Sequence, residues 1–232
     1  MLKLYIGNKN YSSWSMRPWV LLTQAGIPFE EVMVRFDSFA VGSKFKNTMS
    51  SISPTGKVPA LVDTSVAGDL KIWDTLAIAE YAAEQFPEKS LWPKDKAARA
   101  IARSICAEMH AGFTGLRSHC AMNIEASLPD IGQIVWRDQP AVQADVKRIV
   151  ALWSELLQKY QGPMLFGDFS AADAYFAPVC MRFNTYALPL PKNIAAYAQR
   201  VTALPSIQAW IKAALAENDF VAMVEPYRVK ID

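Results

Sequence analysis

Three adjoining stretches near the amino terminus limit the fold more than anything else in the chain. Residues 2–7, LKLYIG, have the β-branched and aromatic character of a strand; residues 17–26, RPWVLLTQAG, read as a helix stopped by Gly26; residues 29–36, FEEVMVRF, read as a second strand. Strand, helix and strand in that order imply parallel pairing through a right-handed crossover. Two more short strands follow, VPALVD at 58–63 and LKIW at 70–73, and the turn-forming SVAGD between them makes a hairpin. Residues 75–86, TLAIAEYAAEQF, then place Leu76, Ala79, Ala83 and Phe86 at helical spacing until Pro87 ends the run.

Beyond PEKSLWPKDKAAR the strand signals fade and long helical periods take over. Residues 98–122 carry one such period, and residues 140–161 another with Val146, Ile149, Trp153 and Leu156 on one face. SAADAYFAPVCMRF, IAAYAQRVTAL and PSIQAWIKAALAE supply three more helices. The expected organisation is an α/β domain over 1–86, a linker over 87–97 and an all-helical bundle of about five helices over 98–232. With 52% apolar residues in 232, the chain can fill such a core.

Charge narrows the partners. The 24 lysines and arginines nearly balance 22 aspartates and glutamates and are scattered, so neither a nucleic-acid stripe nor a polybasic membrane patch forms. No apolar run reaches about 18 residues and the opening MLKLYIGNKN has no leader pattern, so a cytoplasmic location without membrane contact is expected. Cys106, Cys120 and Cys180 are odd in number without CxxC spacing, and only His110 and His119 accompany them; neither a disulfide framework nor a metal site is expected.

The loop SSWSMR, residues 12–17, raises the question of function. A helix starting near residue 16 tolerates Pro18 in its first turn, which makes Ser15 the expected N-cap and leaves Ser12 and Ser13 above the positive helix end. The loop is similar to the SSCSWR of zeta-class glutathione transferases, and the domain pattern resembles the cytosolic glutathione S-transferase superfamily over essentially the whole chain. The resemblance implies a thioredoxin-like glutathione-binding domain followed by the helical one. It places Ser12 where the family has its catalytic serine, five residues before Arg17, as the tau-class pattern also does. Ser13 is the alternate, inheriting the role if the register slips by one residue.

The implied chemistry suits this arrangement. A free thiol has a pKa of about 8.5, so little of it is thiolate at neutral pH. Lowering that value by about two units takes roughly 2.7 kcal/mol of preference for the anion. A hydroxyl hydrogen bond supplies about 1.5–3 kcal/mol of this and a helix amino terminus up to about 1. The serine would donate a hydrogen bond rather than attack, and no base partner for a serine nucleophile is visible in the loop.

Three further motifs carry the resemblance. In TGKVPALVD, Pro59 matches the family's cis-proline, with Val58 pairing the cysteinyl part of glutathione and Lys57 matching a tau-class contact; outside the family Pro59 would read as a trans proline opening an edge strand. In WDTLAIAEY, Asp74 and Thr75 match the pair that holds the γ-glutamyl group, and both also suit a helix cap. FSAADAYFAP looks like the family's capping box, with Ser170 as N-cap and Asp173 at N3. Trp14 stands where the zeta-class loop has a cysteine, which argues against maleylacetoacetate isomerase and counts as a glutathione contact.

The resemblance implies an electrophile site between the domains, for which Met109, His110, Phe113 and Arg117 are candidates at helical spacing; for Met109 and Phe113 a core stripe is the stronger reading, and a surface ion pair explains Arg117 as well. The implied function is conjugation of the glutathione thiolate to a hydrophobic electrophile, a detoxification reaction using glutathione as co-substrate and no metal, in a homodimer. The alternatives are a glutathione-dependent cis-trans isomerase and a non-catalytic binder on the same fold.

Overall fold

The computed structural model describes residues 1–229. Four strands form one sheet in the order β2-β1-β3-β4, where β1 is Leu2–Ile6, β2 Glu30–Met33, β3 Ala60–Asp63 and β4 Leu70–Trp73. β1 and β2 are parallel, as the strand-helix-strand pattern requires, and β3 runs antiparallel to both β1 and β4. Leu2, Leu4 and Ile6 alternate inward, each contributing about 1.5–3 kcal/mol through burial against the helices.

The crossover helix α1, Ser13–Gln24, is fixed at both ends. Gly26, at φ +65°, closes it: its N–H reaches the Thr23 carbonyl and the Ile27 N–H reaches Leu22, a paired C-terminal motif that needs a left-handed residue. At the other end the cap is Ser12 and not Ser15, since the Ser15 N–H donates to Ser12 Oγ at 3.4 Å. Ser15 lies inside the first turn, where its hydroxyl accepts the Gly7 N–H at 3.1 Å and ties the helix to the end of β1. The helix therefore starts earlier than the proline suggested, and Pro18 sits in the second turn.

Helix α2, Lys44–Ile52, starts on Ser43 and on the Asp37 carboxylate, which accepts from the Lys44 and Phe45 backbone. It turns Phe45 and Met49 onto Val34 and Ala60 in a small second core. Helix α3 is Thr75–Gln85, capped by Asp74.

Among the described residues seven helices follow, more than the five expected: α4 Lys96–Ala111, α5 Thr114–His119, α6 Pro129–Asp138, α7 Pro140–Tyr160, α8 Ala171–Tyr186, α9 Lys192–Thr202 and α10 Pro205–Ala216. The long period over 98–122 is broken in two at Gly112 and Phe113, the latter at φ +53°. Arg117 reaches back across the break to the His110 and Gly112 carbonyls, both at 3.1 Å, supplying the donors that the ended helix lacks. α6 is not among the helices expected from the sequence pattern.

α8 is buried along nearly its whole length and packs on α1, so it forms the spine between sheet and bundle. Its capping box is present: the Ser170 N–H donates to Asp173 Oδ2 at 2.9 Å, while Asp173 Oδ1 accepts from Leu165 N and Tyr197 OH. Among the described residues no helix is long and apolar enough to cross a membrane, and no group of three or more potential metal ligands occurs.

Candidate functional site

Two adjoining cavities open where α1 begins. The first, about 310 Å³, is a polar cleft bounded by Lys57, Val58 and Pro59 before β3, by Asp74 and Thr75 at the head of α3, and by His110 and Arg117 across the α4–α5 break. The Val58–Pro59 bond is cis. Asp74 sits at φ +78°, a conformation a non-glycine residue adopts only under constraint. One of its oxygens caps Leu76 N at 2.8 Å, while the other lies 3.3 Å from His110 Nε2. The Thr75 hydroxyl is hydrogen-bonded to the Tyr175 hydroxyl of α8.

The second cavity, about 360 Å³, is an aromatic chamber lined by Tyr11, Ser12, Ser13, Phe36, Phe39 and Phe45, with Val224 from the carboxy-terminal segment. The three phenylalanine rings meet edge to face, with centroids 5.1 to 5.8 Å apart. Gly7 touches this wall from behind: an added Cβ would lie 2.3 Å from the Phe36 ring. Trp14, Lys57 and Val58 line both cavities and form the wall between them. The Trp14 ring is held by the Arg17 guanidinium at 4.1 Å, by that of Arg117 at 4.8 Å and by the tilted His110 ring at 5.0 Å.

Tyr11 brings a phenol into the chamber, but its hydroxyl is committed. It lies 2.7 Å from Glu225 Oε1 and 3.0 Å from the Asp219 carbonyl, and burial together with the Glu225 carboxylate pushes its pKa up to about 12. Glu225 is in turn held by Asn123 and Arg228; burial raises its pKa, but the bonds from Arg228 and Tyr11 outweigh this and leave it below the ordinary glutamate range. The carboxy-terminal segment is thus pinned over the chamber.

Behind the serine loop stand two buried arginines. Arg17 Nε donates to the Tyr175 carbonyl at 3.1 Å and its Nη1 reaches the Ser13 carbonyl at 3.5 Å. Arg182, on α8, donates to Ser13 Oγ at 3.2 Å and to the Cys120 carbonyl. Burial lowers the pKa of both, to about 9 for Arg17 and about 10 for Arg182, values at which they remain cationic near neutrality. Together they direct positive charge at the beginning of α1, in the same sense as the helix dipole.

Comparison with known proteins places this geometry. Residues 11–85 match the model of the glutathione S-transferase N-terminal domain and residues 99–213 that of the C-terminal domain. Glutathione S-transferase F14 of Arabidopsis thaliana is 31% identical over 229 residues, covering 90% of this chain and 82% of that protein. The chain belongs to the glutathione S-transferase superfamily. A zeta-class glutathione S-transferase of Euphorbia esula is likewise 31% identical, over 79% of this chain and 78% of its own length. A glutathione transferase homologue from Burkholderia, solved with bound glutathione, superposes with TM-score 0.69 at 25% identity over 93% of this chain and 98% of its own.

As in a glutathione S-transferase, the fold is a thioredoxin-like α/β unit followed by a helical one. The six residues singled out for glutathione, Trp14, Lys57, Val58, Pro59, Asp74 and Thr75, all line the polar cleft. Ser12 and Ser13 line the aromatic chamber instead. His110 and Arg117, candidates for the electrophile site, line the polar cleft, while Met109 and Phe113 are buried in the core and line neither cavity. Met109 faces inward from α4, so its helical spacing reflects the core stripe, while Phe113 is buried at the break between α4 and α5.

Sequence reasoning missed Tyr11, the phenylalanine wall and Arg182. The wall had a signal, three phenylalanines within ten residues of a segment with no strong helical period. Arg182 had one too, as a lone cation in the otherwise apolar run AYFAPVCMRF.

Proposed function

We propose that this transferase binds glutathione in the polar cleft, takes a hydrophobic electrophile into the aromatic chamber, and joins the two at the serine loop. The supporting observation is convergence: residues from α1, from the turn before β3 and from the head of α3 meet in one cleft, which shares Trp14, Lys57 and Val58 with an apolar chamber holding both serine hydroxyls. In this reading Asp74 takes the γ-glutamyl ammonium, while the Thr75 hydroxyl and the first N–H groups of α3 take its carboxylate. Val58 pairs with the cysteinyl backbone and Lys57 meets the glycyl carboxylate. His110 and Arg117 close the glutathione side.

The thiol gives its proton to solvent, and the thiolate is held by a serine hydroxyl and the positive end of α1. It attacks the electrophilic carbon, forming the carbon–sulfur bond as the leaving group departs with its electron pair, or adds to an activated double bond that then takes a proton from water. Serine remains a hydrogen-bond donor throughout. Retention on immobilised glutathione, with turnover of glutathione and a chloronitrobenzene, is the expected result. Absence of both would refute the reading; retention without turnover would leave a ligand-binding protein.

The isomerase reading has one observation in its favour. Arg117 faces the cleft with no carboxylate partner among the described residues, which suits an anionic electrophile. A maleylacetoacetate isomerase of Rattus norvegicus is 28% identical over 75% of this chain and 74% of its own length. Turnover of maleylacetoacetate with catalytic glutathione separates it from conjugation.

A homodimer fits the same reading, because the outer strand β4 presents Leu70 and Trp73 at 39% and 44% exposure. Light scattering at twice the 25.8 kDa chain mass supports it, and the single-chain mass refutes it. A cytoplasmic detoxification role belongs to the same proposal.

A further inference from the structure

The hydroxyls of the serine loop differ in how they are already engaged. Ser12 Oγ donates to Ser15 Oγ at 2.7 Å while accepting the Ser15 N–H, so its proton is committed inside the helix cap. Ser15 is fully buried and occupied by Gly7 and Ser12. Tyr11 is tied to Glu225. Ser13 differs: its Oγ accepts from Arg182 Nη2 at 3.2 Å, its carbonyl accepts from Arg17, and its own proton has no partner among the described residues. Ser13 also lines the aromatic chamber, beside Val58.

Arg182 is the unusual part of this arrangement. It is 5% exposed, and among the described residues its hydrogen bonds go only to the neutral Ser13 hydroxyl and Cys120 carbonyl. No carboxylate pairs with it among the described residues, so burying its charge goes without the compensation that buried cations ordinarily have. A cationic donor on a hydroxyl oxygen does two things: it occupies a lone pair, which turns the hydroxyl proton away from the donor, and it withdraws charge, which strengthens the hydroxyl as a donor to an anion.

We infer that Ser13 rather than Ser12 gives the hydrogen bond that holds the glutathione thiolate, and that Arg182 is a positioning residue that orients and polarises the Ser13 hydroxyl from behind. The inference rests on the glutathione transferase reading above. No proton leaves Ser13: the thiol ionises to solvent, and the resulting thiolate accepts the Ser13 hydrogen bond. Ser12 keeps its place as the cap of α1.

The test is the thiol pKa of bound glutathione, read from thiolate absorbance against pH at saturating glutathione, with melting curves to confirm folding. S13A and R182M are each expected to raise that pKa by about one unit, a tenfold loss of thiolate at a pH below it, with a smaller rise for S12A. R182K, which keeps the charge but not the planar fork, recovers part of the loss. In an S13A background R182M adds less than a twofold change, because the two act through one hydroxyl. Should R182M not fold, S13A carries the test, since it leaves the Arg182–Cys120 bond in place. A larger rise with S12A than with S13A, or an R182M effect undiminished in the S13A background, overturns the assignment. A wild-type protein that binds no glutathione refutes the transferase reading itself, whereas one that binds it with a thiol pKa indifferent to S13A refutes only this inference.

Discussion

The polar cleft and the aromatic chamber share a wall of Trp14, Lys57 and Val58, yet they are built by different means. The cleft is made where the backbone is already decided: the residues before β3, the cap of α3 and the broken end of α4. Its polar groups are positioned by the same hydrogen bonds that end or start those elements, as when Asp74 caps Leu76 and Arg117 caps α4. The chamber is made by side chains from a connecting segment and from the carboxy-terminal end, with Phe39 still 46% exposed at its rim. In the proposed reading, recognition of the constant ligand is written into the fold, while the variable substrate meets a surface that loops can reshape.

The strongest challenge to this contrast is Asp74→Ala. It removes a charge-assisted contact of about 1.5–3 kcal/mol, so the KM for glutathione should rise on the order of tenfold to a hundredfold. The KM for the electrophile should move far less, as steady-state kinetics with each substrate varied would show. Equal losses on both sides would mean that the cavities do not divide the work.

Phe39→Ala should do the reverse. Losing the rim ring removes about 1 kcal/mol of apolar contact, a roughly fivefold rise in electrophile KM, with glutathione affinity by calorimetry held within about twofold. Gly7→Ala probes the same wall from behind, since the added methyl must displace the Phe36 ring. Bulky electrophiles should then lose more turnover than small ones, and a uniform loss would show that Gly7 matters to the fold alone.

The smallest expected effect concerns the clamp on the chamber. Glu225 has its pKa lowered in the folded state, so its contribution to stability is present above the ordinary glutamate value and is lost as pH falls through the lower folded one. Glu225→Gln should therefore lower the melting temperature by a few degrees near neutrality, and the difference from wild type should shrink below about pH 4.5. A difference that stays constant down to pH 3 would show that the carboxylate charge is not what holds Tyr11 and Arg228.

The same division governs what can be read from the sequence. Asp74 and Thr75 belong to an element boundary, where a local motif announces the helix cap, whereas the cis bond before Pro59 is reached only through the family resemblance, since the local sequence reads equally as a trans proline opening a strand. The strands and the closure of α1 at Gly26 are legible for the same reason. Pro18 misleads, because the rule placing proline in the first turn ignores the tertiary bond from Gly7 to Ser15 that starts the helix earlier. Nothing local marks Phe113 as left-handed, and its break is compensated by Arg117, four residues away. Met109 and Phe113 have the spacing of a pocket wall and of a core alike; only their burial in the folded chain decides between them. Arg182 lies 169 residues from the serine whose hydroxyl it contacts, a distance no motif spans.

The division of labour between cleft and chamber is tested most directly by calorimetric titration of the wild-type protein with glutathione and with S-hexylglutathione, repeated on Asp74→Ala and Phe39→Ala. The hexyl chain should add affinity with a more negative heat-capacity change, Phe39→Ala should remove much of that gain, and Asp74→Ala should weaken both ligands equally while leaving the gain intact. Equal affinity of the wild type for the two ligands, or a hexyl gain lost with Asp74 rather than Phe39, would contradict it.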